Sequence, residues 1–253
     1  MNENYKWLCN NLSQANVMSP DMQARLRKIG HFEREELAFK TGSMVVYFDQ
    51  EVAAVRLAEE TASMAALPHN YPAVDLNVLN IGAGGRDINK HFLAVDLARS
   101  VMDGSGAHHL MSESALLSNL DELPFIDSSI DAIVSLHTLE HSGDPVKTIN
   151  HWISLLKPGG GIGVVVPDWR YTWDARHDHS TYGHKWNPTP KLIYDLYQEY
   201  WSQNTILEAI DTYSWKLSFD FVLRKHGTFD PFKPMVGQTG ADRQKAGTFL
   251  HGE

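Results

Sequence analysis

The short apolar run Leu76-Asn77-Val78-Leu79-Asn80-Ile81 ends directly in Gly82-Ala83-Gly84-Gly85, and Asp96 closes the next apolar run, Phe92-Leu93-Ala94-Val95. Glycine has no Cβ and tolerates positive φ, so a glycine turn at a strand end lets the backbone come close to a ligand. Further segments extend the pattern. Ile130-Asp131-Ala132-Ile133-Val134-Ser135-Leu136 reads as a clear strand. A helix is predicted over residues 145–156, stopped by Lys157-Pro158-Gly159-Gly160. Gly161-Ile162-Gly163-Val164-Val165-Val166 is then a near-continuous apolar strand, ended by Pro167-Asp168. Apolar strands alternating with helices pair in parallel within a sheet covered on both faces. Ligands of such sheets bind beyond the carboxyl ends of the strands. The expected fold class is therefore α/β, with a mostly parallel central sheet and helices on both faces.

The flanks read differently. Residues 1–70 lack strong strand signals. Ser19-Pro20-Asp21 is a helix start, with Ser as N-cap, Pro at the first helical position and Asp in the first turn, and the helix is predicted over residues 20–29. A second helix is predicted over residues 49–67, stopping before Pro68. The expectation is a helical N-terminal cap, residues 1–70, on an α/β domain, residues 71–253, the whole forming one compact unit. In the C-terminal third, residues 190–200 read as an aromatic-rich helix and residues 218–224 as a late strand. The tail from Gly227 is expected to be loosely held.

Composition enters where function classes have to be excluded. Lys and Arg number 22 against 31 Asp and Glu, a formal charge of −9. Phosphate contact needs clustered cations, so nucleic acid and anionic membrane are not expected partners. The single cysteine, Cys9, excludes an internal disulfide and a thiolate zinc site. No stretch approaches the ~18 apolar residues of a membrane span. The start of the chain lacks the basic and apolar regions of a signal peptide. A cytoplasmic location is expected.

An acid ending the strand after a glycine turn commonly accepts hydrogen bonds from ribose hydroxyls. The dinucleotide fingerprint G-x-G-x-x-G would need a glycine at position 87, where Asp87 stands and would repel a pyrophosphate. Later segments favour another nucleoside. Asn119-Leu120-Asp121-Glu122-Leu123-Pro124-Phe125 precedes Asp127-Ser128-Ser129-Ile130-Asp131. Leu139-Glu140-His141 follows, and then Leu155-Leu156-Lys157-Pro158-Gly159-Gly160. In this order and spacing, over about residues 76–168, the chain resembles the class I S-adenosylmethionine-dependent methyltransferases. The resemblance implies their Rossmann-like fold and S-adenosylmethionine as cofactor. It implies that the turn Gly82-Ala83-Gly84 underlies the methionine portion, that Asp96 binds the ribose with Leu97 beside the adenine, that Asn119 and Leu120 also face the adenine, and that His137 lies near the sulfonium. The sequence departs from the family at Asn80, where an acid is usual. The spacing from Gly85 to Asp96 is also short, so the first crossover helix is expected to be reduced or absent.

Beyond the last apolar strand, residues 168–186 concentrate His177, His179 and His184 with Trp169, Trp173 and Trp186. In this fold class that stretch leaves the carboxyl edge beside the ligand, and loops on a rigid scaffold commonly carry chemistry. Three roles compete for it. His179, His184, Asp168 and His141 are the candidates for acid/base work, since neutral imidazole takes a proton near neutral pH. Arg170, Tyr171, His177 and Trp186 are candidates for contact with an acceptor. Metal binding through His177, His179 and His184 is the disfavoured alternative, because Mg²⁺ prefers oxygen ligands and the His-x-His-x₄-His spacing matches no strong motif. Packing as a lid is the third role. The expected function is methyl transfer to an oxygen, less readily a nitrogen, of a small molecule or saccharide in biosynthesis, by a monomer or homodimer. A non-catalytic S-adenosylmethionine-binding or regulatory protein, and a metal-dependent enzyme built on the histidine loop, are the alternatives.

Overall fold

The computed structural model describes residues 57–84, 86, 88–97, 116–169, 184–212 and 218–230. Seven strands form one sheet: β1 (Val78–Ile81), β2 (Leu93–Asp96), β3 (Leu116–Leu117), β4 (Ile130–Leu136), β5 (Leu156–Pro167), β6 (Thr205–Ile210) and β7 (Ser218–Lys225). Their order is β3-β2-β1-β4-β5-β7-β6. The first five pair in parallel. β7 runs antiparallel between β5 and β6. The strand order reverses between β1 and β4, which opens a crevice at the carboxyl edge. The expected mostly parallel sheet is thus present, with an antiparallel pair added at one end.

Both faces of the sheet are covered. On one face Leu79, Ile81, Ile133, Ile162, Val164 and Val166 belong to the larger core cluster. The helix α2 (Pro145–Leu155) closes it, burying Val146, Ile149, Trp152 and Ile153 at helical spacing. Asp144 caps α2 by accepting the Lys147 N–H at 2.9 Å, with Pro145 at the first position. The helix α3 (Pro190–Leu196) repeats this start with Thr189 and Pro190. It passes into a wide π turn over Tyr197–Trp201, so the predicted continuous helix ends in a different winding.

On the other face lie Val78, Ala132 and Val134, packed by Met64 and Leu67. Residues 57–64 are helical, and this described part of the predicted cap helix is α1. A Cβ on Gly161 would stand 2.1 Å from the Ala66 carbonyl oxygen, and one on Gly163 would stand 2.0 Å from that of Ser63. Two alternate glycines in β5 therefore let the backbone of the α1 segment rest directly on the strand. Arg224 clamps the end of this segment, donating to the carbonyls of Ala66 at 2.6 Å and Ala65 at 3.0 Å. Because later residues of α1 lie over earlier residues of β5, Glu59 is carried toward the carboxyl edge.

Other expectations change in detail. β3 is two residues long and β6 is a half-exposed edge strand. Neither was anticipated, because neither carries a continuous apolar run. No described residue between β1 and β2 is helical, as the short spacing implied. The tail is packed at its beginning: Phe229 meets Tyr71 edge to face at 5.1 Å. The helix predicted over residues 20–29 lies outside the described residues. Among the described residues no helix is long and apolar enough to cross a membrane.

Candidate active site

The glycine turn is held to β2 by backbone bonds. The N–H groups of Gly82 and Ala83 donate to the Val95 carbonyl at 2.8 and 3.3 Å. Gly84 donates to Asp96 Oδ2 at 2.8 Å, and Leu97 donates to Oδ1 at 2.7 Å. Asp96 is thus fixed in orientation by two amides at the mouth of the turn. Gly82 and Gly84 have φ of +69° and +50°. A Cβ on Gly82 would collide with Thr138, 1.8 Å from its Oγ1, whereas one on Gly84 would meet none of the described residues within 4 Å. Gly82 is therefore needed for packing, and the backbone at Gly84 is left uncovered by the described residues. Asn80 is buried beneath the turn, and its Nδ2 donates to the Arg86 carbonyl at 2.8 Å. A carboxylate could not make that bond, which explains the departure at this position.

Asn119 and Leu120 come to the same place. Ser118 N–H donates to the Asp96 carbonyl at 2.9 Å, following the pairing of Asp96 with Leu117. Two α2 side chains hold the segment: Trp152 Nε1 donates to the Leu120 carbonyl at 2.7 Å, and His151 Nε2 accepts the Leu123 N–H at 3.0 Å. Asn119 is exposed, Leu120 is half-buried, and Leu97 is 66% exposed.

His137 follows β4 directly, and its φ of +52° is a strained conformation for a non-glycine residue. It is held there by its own N–H, which donates to the Val165 carbonyl at 2.8 Å, and by Glu59, whose Oε1 lies 2.8 Å from His137 Nε2. Glu59 also accepts from Ser218 Oγ at 2.8 Å and from Arg86 Nη1 at 2.7 Å. Burial works to raise the pKa of Glu59, but the hydrogen bonds and charges of His137 and Arg86 prevail and lower it to about 2. Burial works to lower that of His137, and the hydrogen bond and charge of Glu59 outweigh it, so the net direction is upward.

Beyond His137 a second group gathers. Glu140 is 1% exposed, and its Oε1 lies 3.8 Å from His141 Nε2 and 3.9 Å from His184 Nε2. The two imidazoles meet edge to face at 5.2 Å. Burial raises the pKa of Glu140. Burial, followed by the neighbouring His141 and His137, lowers that of His184 to about 4. The strip carrying His184 is fastened to this turn: Lys185 N–H donates to the Glu140 carbonyl at 2.8 Å, and Trp186 Nε1 to the Leu139 carbonyl at 3.0 Å. Trp186, expected to touch an acceptor, is 1% exposed within the larger core and anchors this strip from inside. Asp168 follows β5 and is 1% exposed. Arg170, Tyr171, His177 and His179 lie outside the described residues.

The structure thus gathers Gly82, Ala83, Gly84, Asp96, Leu97, Asn119, Leu120 and His137 at the carboxyl ends of adjacent strands, with His141 and His184 on the same edge. Sequence reading missed Glu59, Arg86, Ser218 and His151. None stands in a motif, and each becomes visible only through its tertiary partner.

Residues 74–164 match the family described as "Methyltransferase domain". No curated protein matches the chain. Among solved structures, similarity extends to the complex of the Haloferax volcanii Trm112 methyltransferase activator with a protein assigned as a methyltransferase (15% identity, 71% of this chain and 95% of that one, TM-score 0.49). It extends also to an S-adenosylmethionine-dependent methyltransferase from Mesorhizobium loti (15% identity, 65% and 98%, TM-score 0.46). A third is one from Aquifex aeolicus (12% identity, 76% and 97%, TM-score 0.43). The matched segment spans β1 to β5 and the whole glycine turn. Residues 74–164 are thus similar to a methyltransferase domain.

The resemblance of this segment to the class I methyltransferases implies S-adenosylmethionine as cofactor. The residues present fit it. Asp96 keeps acceptor capacity beyond its two amide bonds, since each carboxylate oxygen has two lone pairs. The space over Gly84, which a Cβ would enter unopposed, leaves backbone accessible to the ligand.

Proposed function

We propose that this chain transfers the methyl group of S-adenosylmethionine to an oxygen of a small molecule or saccharide. The observation that carries this reading is the carboxylate of Asp96, fixed by Gly84 and Leu97 at an open glycine turn, on the same sheet edge as a histidine cluster. When bound, the cofactor supplies an electrophilic methyl; as the O–C bond forms, the S–C electron pair returns to sulfur and the acceptor oxygen gives up its proton. In this reading Asp96 accepts hydrogen bonds from the ribose hydroxyls, and Leu97 and Leu120 flank the adenine. The Asn119 amide oxygen accepts from the adenine amino group. Gly82, Ala83 and Gly84 lie under the methionine portion, with His137 beside the sulfonium. His141, His184, Asp168 and, in the loop beyond, His179 serve the acceptor's proton, while Arg170, Tyr171 and His177 contact the acceptor itself. His184, with its pKa lowered, is neutral near pH 7. An oxygen acceptor is favoured because a hydroxyl has a proton to lose, whereas a neutral amine attacks without a base. The formal charge of −9 disfavours nucleic acid as acceptor.

Two measurements test the reading. Asp96→Ala removes charge-assisted bonds worth roughly 1.5–3 kcal/mol each, so cofactor affinity by calorimetry should fall at least tenfold. Unchanged affinity would remove Asp96 from the ribose. Asn119→Asp should bind cofactor as the wild type does, while Asn119→Ala weakens it. The reverse order would show that this segment does not face the adenine. A screen of hydroxylated acceptors with methyl-labelled cofactor then separates an enzyme from a non-catalytic binder: label should pass to an acceptor oxygen.

A further inference from the structure

We propose that Glu140, His141 and His184 bind one divalent transition-metal cation at the carboxyl edge of the sheet. One ligand atom from each lies within 4.8 Å of the others. Glu140 Oε1 is nearly equidistant from the two imidazole nitrogens, at 3.8 and 3.9 Å. Around a cation with ligands at about 2.0–2.2 Å, tetrahedral donors stand about 3.4 Å apart. The side chains reach that spacing by closing about half an ångström for these two pairs, and about one and a half at most for the third.

A second observation points to a ligand independently. Glu140 Oε2 is fully buried and has no hydrogen-bond partner among the described residues. Buried carboxylates are held by partners or by metals, and the neighbouring imidazoles lie beyond hydrogen-bond distance. A cation drawn against this carboxylate satisfies it.

The donor set decides the class of ion. Two imidazoles and one carboxylate suit Zn²⁺, Mn²⁺ or Fe²⁺, and not Mg²⁺, which takes oxygen. Three protein ligands leave a coordination position open. His141 is the most exposed of the three, with 23% of its side chain accessible against 1% for Glu140 and 5% for His184, so the open position faces outward past His141. Both ligand-bearing segments are rigid toward each other through the Lys185 and Trp186 bonds to the 139–141 turn. This set differs from the one that sequence spacing suggested: it keeps His184, but its other members come from the 139–141 turn beyond β4.

The cluster begins two residues after Thr138, the residue that packs on Gly82. A cation here lies beside the glycine turn, where it attracts an acceptor oxygen and eases loss of its proton. That role rests on the methyl-transfer reading above; binding of the cation does not.

The full-length chain, stripped with chelator, is titrated with Zn²⁺ and separately with Mn²⁺ in competition with a chromogenic chelator, and bound metal is counted by mass spectrometry. About one ion per chain is expected. Glu140→Gln, His141→Ala and His184→Ala should each weaken binding at least tenfold, as loss of even an outer partner does, while His226→Ala, at an exposed distant site, leaves it unchanged. Melting temperature and S-adenosylmethionine affinity check that each variant is folded. Should the buried positions fail to fold, the half-exposed His141→Ala decides. No stoichiometric ion in the wild type, or undiminished binding by His141→Ala, overturns the proposal. So does binding lost only with His177→Ala and His179→Ala. Absent metal with intact cofactor affinity leaves the methyl-transfer reading standing. Bound metal with cofactor affinity insensitive to Asp96→Ala removes Asp96 from the ribose and leaves the metal site.

Discussion

Replacing Glu59 by alanine is expected to lower stability by about 3–5 kcal/mol, the range for removing one partner of a buried ion pair. Its carboxylate, with 5% of the side chain exposed, serves Arg86, His137 and Ser218 together. Alanine leaves all three donors without it and frees His137 to relax from its positive φ. The urea midpoint should fall at unchanged slope, and cofactor affinity should fall with it, since His137 neighbours the turn. Glu59→Gln, which keeps an acceptor and loses the charge, should cost less.

The same group sets a pH dependence. The folded pKa of Glu59, about 2, lies below its ordinary 4.5. Its stabilisation is therefore fully present above pH 4.5 and is lost as pH falls toward 2, amounting to about 3 kcal/mol at 1.36 kcal/mol per unit. His137 has the opposite sign: its pKa is raised from 6.5, so its contribution is present below pH 6.5 and is lost as pH rises through the folded value. Arg86 and Glu140 also face this pair, and burial raises the pKa of Glu140. Between about pH 4.5 and 6.5 the pair contributes most. Glu59→Ala should flatten the acid limb of the stability profile. An acid limb unchanged by the substitution would show that the network contributes no net stability.

Gly82→Ala and Gly84→Ala should separate sharply, although both glycines sit at positive φ in one turn. At Gly82 the new methyl would stand 1.8 Å from Thr138 Oγ1 and 2.6 Å from its Cβ. The left-handed backbone costs about 1–2 kcal/mol, and overpacking adds about 1–3. The expected loss is about 2–5 kcal/mol, with cofactor binding abolished or nearly so. At Gly84 the methyl meets no atom of the described residues, so the melting transition should move only by the backbone term. Cofactor affinity should nonetheless fall, because the methyl enters the space assigned to the ligand. Equal melting losses would show that the two positions are not distinguished by Thr138. Full affinity in Gly84→Ala would place the cofactor elsewhere.

Much of the sheet was legible because its strands are apolar throughout. Leu76–Ile81, Ile130–Leu136 and the run before Pro167 each announce a strand buried on both faces, and the run before Asp96 forms a half-buried one. Asp87, standing where the dinucleotide fingerprint needs its third glycine, excludes that fingerprint. β3 and β6 escaped notice for the converse reason. Two residues make no period, and the Ile-Leu-Glu-Ala sequence of β6 sits on an edge where only one face needs to be apolar. The π turn over Tyr197–Trp201 follows helix-forming residues and differs only in which carbonyl the Ser202 N–H reaches.

Of the site, the turn, Asp96, Asn119 and His137 stand at fixed distances from strand ends, and strand ends in a parallel sheet converge. Spacing along the chain therefore determined which of these residues meet. Tertiary structure alone decided the rest. Glu59 reaches His137 and Ser218 across 78 and 159 residues because two glycines in β5 seat α1 against the sheet. His184 meets Glu140 across 44 residues of chain because Trp186 is buried beneath the 139–141 turn. A Trp in a histidine-rich stretch reads as a ligand contact, and a Glu in a surface-like helix reads as solvated. What reverses both readings is burial, which comes from packing between segments distant in sequence and leaves no local period to detect.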